Sequence, residues 1–396
     1  MNSWTIQAVI DWLFDEGRLI KGDNEFVHGL ADRMNDCGAP LDRLQITIRT
    51  LNPLIVGTSN RWMRSTGKTE RIETGHGIVD SPRYIGSPLK QLFDTGEPVH
   101  QSLDHLPEDA HSTYRDLAAD GFTDYLALPV ESAGGIFATI TLGTRKRGGF
   151  SELDLENFLA IRDFVSPFLQ VHSLRYLSES LLNTYVGKRT GEKVLAGMIK
   201  RGDAEVIDAA LWFSDLRDFT GFSESMPPAV VLETLNTYFE QISDAVTPRG
   251  GEILRFIGDA MLIVFPIGPD FDRQSACESA LSAATEAQQV IAALNGERRL
   301  QGLPQIDFGV GLNTGEVVYG NVGAPDRLDF TVMGPAVNRA SRLESLTKHL
   351  GRSILFSQEF SECIDRPCSF MGMHNMKGIA EPAAVYALAE SGHSGQ

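Results

Sequence analysis

Apolar positions change their period several times along the chain, and each change marks an element. Trp4, Ile10, Leu13 and Phe14 recur at helical spacing, so residues 1–35 read as helical. Residues 44–64 alternate apolar and polar positions on either side of an Asn-Pro pair, the pattern of a hairpin. Ser87-Pro88 opens a short helix, PLKQLFDTGE, that Gly96 ends, and a further helix is expected over 112–120. Two strands, DYLALPVE and GIFATITLGT, are joined at Gly134-Gly135. Ser151-Glu152-Leu153-Asp154 then has the form of a capped helix start. Phe158, Leu159, Ile161, Val165, Phe168, Leu169, Leu174, Leu177 and Leu181 keep helical spacing for about 30 residues. A helix of that length is either a dimer stalk or a terminal helix packed on its own domain.

Residues 183–204 are rich in Gly and basic side chains and read as a linker. An alternating α/β pattern follows. A strand at Ala209–Phe213 leads to a helix at Pro228–Val246, with Val231, Leu235, Tyr238, Phe239, Ile242 and Val246 as its inner face. EILRFIGDAMLIVF is a hairpin turning at Gly258-Asp259. A helix from about Asp272 to Arg298, a strand at Ile306–Leu312, the segments EVVYGNVG and LDFTVMG, a helix at Pro335–Leu350, the strand SILFS and a final hairpin complete the reading.

Length and composition narrow the class. The 396 residues suffice for two domains, and 42% hydrophobic with 22% charged residues is the balance of a globular protein. The formal net charge of -17 argues against nucleic-acid or membrane-surface binding by bulk charge. An acidic chain can still take a nucleotide where a cation screens the phosphates. Cys37, Cys277, Cys363 and Cys368 form no CxxC pair, so they read as reduced thiols. The N-terminus lacks a basic start, and the longest apolar stretches, such as Ile136 to Leu142, are too short for a bilayer. The expectation is a cytoplasmic protein without membrane insertion.

Three segments carry chemistry. In FSDLRDFT an apolar strand delivers Asp215 at its C-terminal end, where a carboxylate can serve a hard cation. In FIGDA, Asp259 sits at a turn between two apolar strands, where a buried carboxylate is costly unless paired or metal-bound. Each Asp alone is more often structural, because Asp suits turns. The segment TVMGPAVNRASRLE places Asn338 and Arg342 at i and i+4, an amide and a permanent cation on one helix face. Arg339 and Glu344 read as part of a solvated charged face.

FSDLRDFTGFSE, GGEILRFIGDAMLIVF and FTVMGPAVNRASRLE, in that order and with MKGIAEP near the end, closely resemble the class III adenylate and guanylate cyclases. The resemblance implies a ferredoxin-like catalytic domain over residues 205–390. It implies metal binding by Asp215 and Asp259, helped by the backbone carbonyl of Leu216, with two Mg²⁺ (or Mn²⁺) ions per site. By the same resemblance Asn338 orients the ribose, Arg342 stabilises the transition state, Lys377 holds the triphosphate, and Arg255 and Thr331 read the purine. It further implies a head-to-tail homodimer in which each site draws on both chains, with ATP as substrate. Helix, sheet, Gly-Gly turn and the GFSELDLENF start of the long helix resemble GAF-type sensor domains over roughly residues 20–172. The expected organisation is thus α/β (α+β). A GAF-like sensor domain (1–172) would receive a small-molecule or protein signal. A helical stalk and linker (173–204), the catalytic domain and a tail (391–396) would follow.

The purine position usually holds Lys in adenylate and Glu in guanylate cyclases, and here it holds Arg255. A cation can donate to adenine but cannot accept from guanine, which favours ATP. Thr331 replaces the more common Asp, and its hydroxyl can accept from the adenine amino group. A guanylate cyclase, or a non-catalytic nucleotide-sensing homologue, are the alternatives. The second would be expected to have lost at least one of the two aspartates, the Asn or the Arg.

Overall fold

A computed structural model describes residues 4–379 and 381–389. Ala380 of the MKGIAEP segment, Glu390 at the end of the expected catalytic domain and the tail 391–396 lie outside the described residues. The chain divides into two compact units, Met1–Thr184 and Tyr185–Gln396. No helix among the described residues is long and apolar enough to cross a membrane.

The first unit begins with α1 (Gln7–Asp15) and α2 (Asp23–Asp36), separated by a 3-10 turn at Gly17–Leu19. The helical reading of residues 1–35 thus resolves into two helices. Gly17 lies against the Trp12 ring, where a Cβ would come within 3.2 Å, a tight approach at the point where the chain turns. Next come β1 (Arg43–Arg49), β2 (Ile55–Met63), β3 (Lys68–Gly75), α3 (Pro88–Thr95), β4 (Val99–Ser102), α4 (Ser112–Ala119), β5 (Asp124–Ser132) and β6 (Gly135–Thr144). They form one antiparallel sheet in the order β3-β2-β1-β6-β5-β4. Strands β3 and β4 escape the sequence pattern because β3, KTERIETG, is polar on both faces and β4 has only four residues. Leu44, Ile46, Ile48, Leu128, Ile140 and Leu142 face a core closed by α1, α2 and α5 (Glu152–Val186). The capped start of α5 holds: Asp154 accepts from Ser151 N at 2.8 Å and from Trp4 Nε1 at 2.7 Å. Gly187, at φ 85°, ends the helix.

In the second unit the expected linker contains α6 (Lys188–Leu195). Its Thr190 is buried and hydrogen-bonds the Tyr319 hydroxyl at 2.8 Å, and Arg189 N donates to Glu252 at 3.1 Å. Its Gly and basic content hid a helix that docks through one small face. The remaining elements are β7 (Ala204–Leu216), α7 (Phe219–Ser225), α8 (Pro228–Val246), β8 (Glu252–Ile257), β9 (Ala260–Pro266) and α9 (Arg273–Leu300). After them come β10 (Phe308–Ala324), β11 (Arg327–Met333), α10 (Pro335–Leu350), β12 (Ile354–Ser357), α11 (Gln358–Ser361), β13 (Cys368–His374) and β14 (Ala383–Leu388).

The sheet runs β13-β14-β12-β10-β7-β9-β8, and β11 pairs with the far half of β10. Its central part, β7-α8-β8-β9-α9-β10 with antiparallel neighbours β10-β7-β9-β8, is the ferredoxin-like βαββαβ arrangement expected. Trp212, Ile263, Phe308, Val310 and Leu312 face α8 and α9 in the main core. Along β7, successive side chains alternate. Leu211 therefore faces the opposite side with Val317, Phe330 and Ala340, and Asp215 shares that side.

Candidate active site

The site forms where β7 ends beside the β8–β9 turn. The last β7–β9 pair is Ser214 with Met261, which sets Asp215 next to the two-residue turn Gly258-Asp259. Gly258 has φ 64°, with open space around it, so the left-handed backbone rather than crowding requires glycine there. Just beyond Leu216, Asp218 has φ 52°, the sole non-glycine with positive φ among the described residues. Asp tolerates that conformation better than most side chains, and the chain turns sharply into α7. The sequence-predicted pair Asp215 and Asp259 is thus brought together, with Leu216 at the same strand end.

The electrostatics of the pair are unfavourable without a cation. Asp215 is pushed up to about 7, first by burial, then by the hydrogen-bonded Asp259 carboxyl and its charge, then by Glu344; the Leu216 backbone opposes the shift. Its Oδ1 is buried and has no hydrogen-bond partner. An orphaned carboxylate oxygen beside a second carboxylate fits a hard divalent cation. Among the described residues no set of three or more His, Cys, Asp or Glu side chains is placed to hold an ion. Two carboxylates leaving the other positions to water and phosphate oxygens is the usual pattern for Mg²⁺.

Glu344 corrects the sequence reading. It is not on a solvated face but 7% exposed, and burial raises its carboxyl further, with Arg217 acting against the rise and Asp259 adding to it. The cause is Gly309, which pairs with Asp215 across β10–β7. A Cβ there would fall 2.6 Å from the Glu344 carboxyl and 3.1 Å from the Arg217 guanidinium, so the glycine makes their room. Arg217 Nη2 also donates to Thr347 Oγ1 at 2.8 Å. Arg217 and Glu344 were both missed as site neighbours. The available signal was Glu344 falling in line with Ala340, Leu343 and Thr347 on the buried face of α10. Arg339 does lie outward, paired with Glu359 at 2.5 Å.

The Asn338 and Arg342 side chains do not join the aspartates within one chain. Arg342 precedes Glu344 by two residues, about 200° around the helix axis. With Glu344 turned to the aspartates, Arg342 points away, and its Nε donates to the Lys377 carbonyl at 3.2 Å. Asn338 is exposed one turn earlier on the same face, and Lys377 is exposed. Asn338, Arg342 and Lys377 therefore form a second group. Arg255 and Thr331 form a third. Thr331 is 8% exposed on β11, and Asp329, two positions before it on the same face, pairs with Arg255 at 2.5 Å. Asp329 was not anticipated; an acidic residue on a short strand carries no sequence signal of its own.

A sequence model of the adenylate and guanylate cyclase catalytic domain matches residues 204–389. Among curated relatives, an adenylate cyclase of Anabaena cylindrica is 39% identical over 199 residues, 48% of this chain and 38% of that protein. Adenylate cyclase 1 of Rhizobium meliloti is 37% identical over 183 residues, 44% of this chain and 26% of that protein. This chain thus spans well under half the length of these relatives. Of solved structures, the adenylyl cyclase CyaB of P. aeruginosa aligns at 29% identity and a TM-score of 0.43, over 48% of this chain and 97% of that one. The guanylyl cyclase Cya2 aligns at 30% identity and a TM-score of 0.42, over 48% and 96%.

Proposed function

We propose that this chain, whose residues 204–389 are a catalytic domain of the adenylate and guanylate cyclase family, converts ATP to 3′,5′-cyclic AMP and pyrophosphate. The observation that supports catalysis most directly is the Asp215–Asp259 pair with its orphaned oxygen, a site that binds a cation or remains strained. Asp215, Asp259 and the Leu216 carbonyl would hold two divalent cations, Mg²⁺ or Mn²⁺. Bound there, such ions screen the triphosphate and lower the pKa of the ribose 3′-hydroxyl.

The chain's own groups then position and stabilise. The Asn338 amide orients the ribose so that its 3′-oxygen lies in line with the α-phosphorus. As that oxygen bonds to phosphorus, the 3′-hydroxyl proton leaves and the bond to the β-phosphate oxygen breaks. Arg342, charged at any working pH, takes up the charge that develops on the α-phosphate. Lys377, held against Arg342, neutralises the departing pyrophosphate. Arg255 donates to adenine, and the Thr331 hydroxyl accepts from its amino group. Curated relatives named adenylate cyclases support ATP. Asp329 favours a second reading: a carboxylate on this wall could accept from guanine if Arg255 released it, and GTP would then be the substrate.

The outward direction of Arg342 supports a shared site, in which Asn338, Arg342 and Lys377 serve the aspartates of a second copy. Exposed apolar side chains on the β10–β11 ribbon, Val318, Val322, Leu328 and Met333, offer a surface for that copy. On α5, exposed Phe164, Val171, Leu174 and Tyr185 follow a heptad spacing suited to a stalk between chains. The first unit, a GAF-like sensor in this reading, would bias the dimer according to what it binds. The test is product formation from ATP or GTP, each with Mg²⁺ or Mn²⁺, beside Asp259→Ala. Cyclic AMP that disappears in the variant supports the reading. Predominant cyclic GMP moves the substrate to GTP, and no cyclic product under any condition makes the chain a non-catalytic homologue.

A further inference from the structure

The first unit's sheet has one apolar face and one face that breaks the pattern. Leu44 and Ile46 point to the core, while Arg43 and Gln45 point the other way, beside Arg61 and Met63 of β2 and Thr141 of β6. A sheet face covered by helices is normally apolar. Here the polar side chains line a cavity of about 480 Å³, closed on the far side by α4 and by Phe122. That volume is within the range of small-molecule sites.

Arg43 is the anomaly. Its Nη1 donates to Thr141 Oγ1 at 3.0 Å and its Nη2 to Gln45 Oε1, both neutral acceptors. Among the described residues no carboxylate lies within ion-pair distance of it. Burial pulls its guanidinium down to about 10, with Tyr125 opposing and the like charge of Arg61 adding, so it stays charged at neutral pH. A half-buried cation beside a second cation on the same cavity wall is costly unless an anion enters. The Tyr125 side chain, 3% exposed, also lines the cavity. The Ser112 and Thr113 side chains, from the first turn of α4, also line the cavity, where the helix dipole favours negative charge. The cavity's carboxylates, Glu70, Asp116 and Asp120, are all exposed, and Glu70 is already paired with Arg61. Met63, Leu117 and Phe122 supply the apolar part of the wall.

We propose that this cavity binds a small organic oxyanion, a carboxylate or phosphate carried on a compact apolar body, with Arg43 as its anchor and Arg61 as its second cation. The exposed acids at the mouth select against polyanions such as a nucleoside triphosphate. Removing Arg43 therefore weakens recognition of the head group without removing any ion pair among the described residues.

The test uses the full chain, with benzoate, phenyl phosphate and neutral benzyl alcohol as probes in titration calorimetry, on wild type and Arg43→Met. The expected result is saturable binding of at least one anion, one per chain, weakened ~10-fold or more in the variant. Benzyl alcohol is expected not to bind. Benzoate and phenyl phosphate separate a carboxylate from a phosphate ligand. Without ligand, Arg43→Met is expected to melt at or above the wild-type temperature, because a half-buried charge with no carboxylate partner has gone. The proposal is overturned if neither anion binds, if benzyl alcohol binds as well, or if the variant binds as tightly. It is equally overturned if the variant melts several degrees lower, which would make Arg43 a structural residue.

Discussion

If the active site is shared, two dead chains should revive each other, and the geometry of α10 sets by how much. Glu344 turns toward Asp215 and Asp259, so Arg342 and Asn338 turn away from them in the same chain. Asp259→Ala should silence the metal side of a chain, and Asn338→Ala the ribose side. In a head-to-tail dimer of the two variants, one site receives both lesions and the other receives none. Free exchange of equal amounts makes about half of all dimers mixed, each with one working site of two, so the mixture should recover about a quarter of the wild-type rate. Selecting mixed dimers through two different affinity tags should raise this to about half. The assay is cyclic nucleotide formed per chain, with each parent measured alone. If tag-selected mixed dimers are as inactive as the parents, the site is self-contained. The outward reading of Arg342 would then have no functional meaning.

The same packing yields a stability prediction at Gly311, where a Cβ would lie 2.1 Å from the Ala340 carbonyl oxygen and 2.4 Å from Glu344 N. Gly311→Ala should cost ~1–3 kcal/mol in urea unfolding and lower activity by displacing α10, whereas Gly296→Ala, with nothing within 4 Å of its Cβ on the exposed side of α9, should gain ~0.5–1 kcal/mol. Asp215→Asn should raise the melting temperature of metal-free protein at pH 7 and above, since an acid held above its usual pKa destabilises the fold wherever it must ionise; an unchanged or lower value would contradict the strain assigned to the pair. His100 is raised above 6.5, first by its hydrogen bond to Asp124, so the folded state binds its proton more tightly. Its contribution should be full below pH 6.5 and fade as the pH rises through the folded pKa, and His100→Asn should flatten that part of the melting-temperature profile.

How much of this could be read from the chain depended on whether each feature is local. The β8–β9 hairpin, α8 and α10 were legible because period, turn residues and length agree within a single window, as at Gly258-Asp259 and Pro335. The three chemistry-bearing segments were legible because their order is distinctive. Glu344 was misread although Ala340, Leu343 and Thr347 mark its side of α10 as the buried one; what the local window does not contain is Gly309, 35 residues earlier, which leaves room for a carboxyl there. Asp329 likewise acquires meaning only once β11 is folded beside β8 and meets Arg255. Arg43 is the instructive case. On the sequence it is one polar position in an alternating strand, indistinguishable from a solvent-facing residue. It becomes a candidate anchor only because α4 lines that side of the cavity and none of the cavity's carboxylates pairs with it among the described residues. Alternation reports that a side chain points away from the core. It cannot report whether the far side is water, and that distinction separates an inert surface cation from one that requires a ligand.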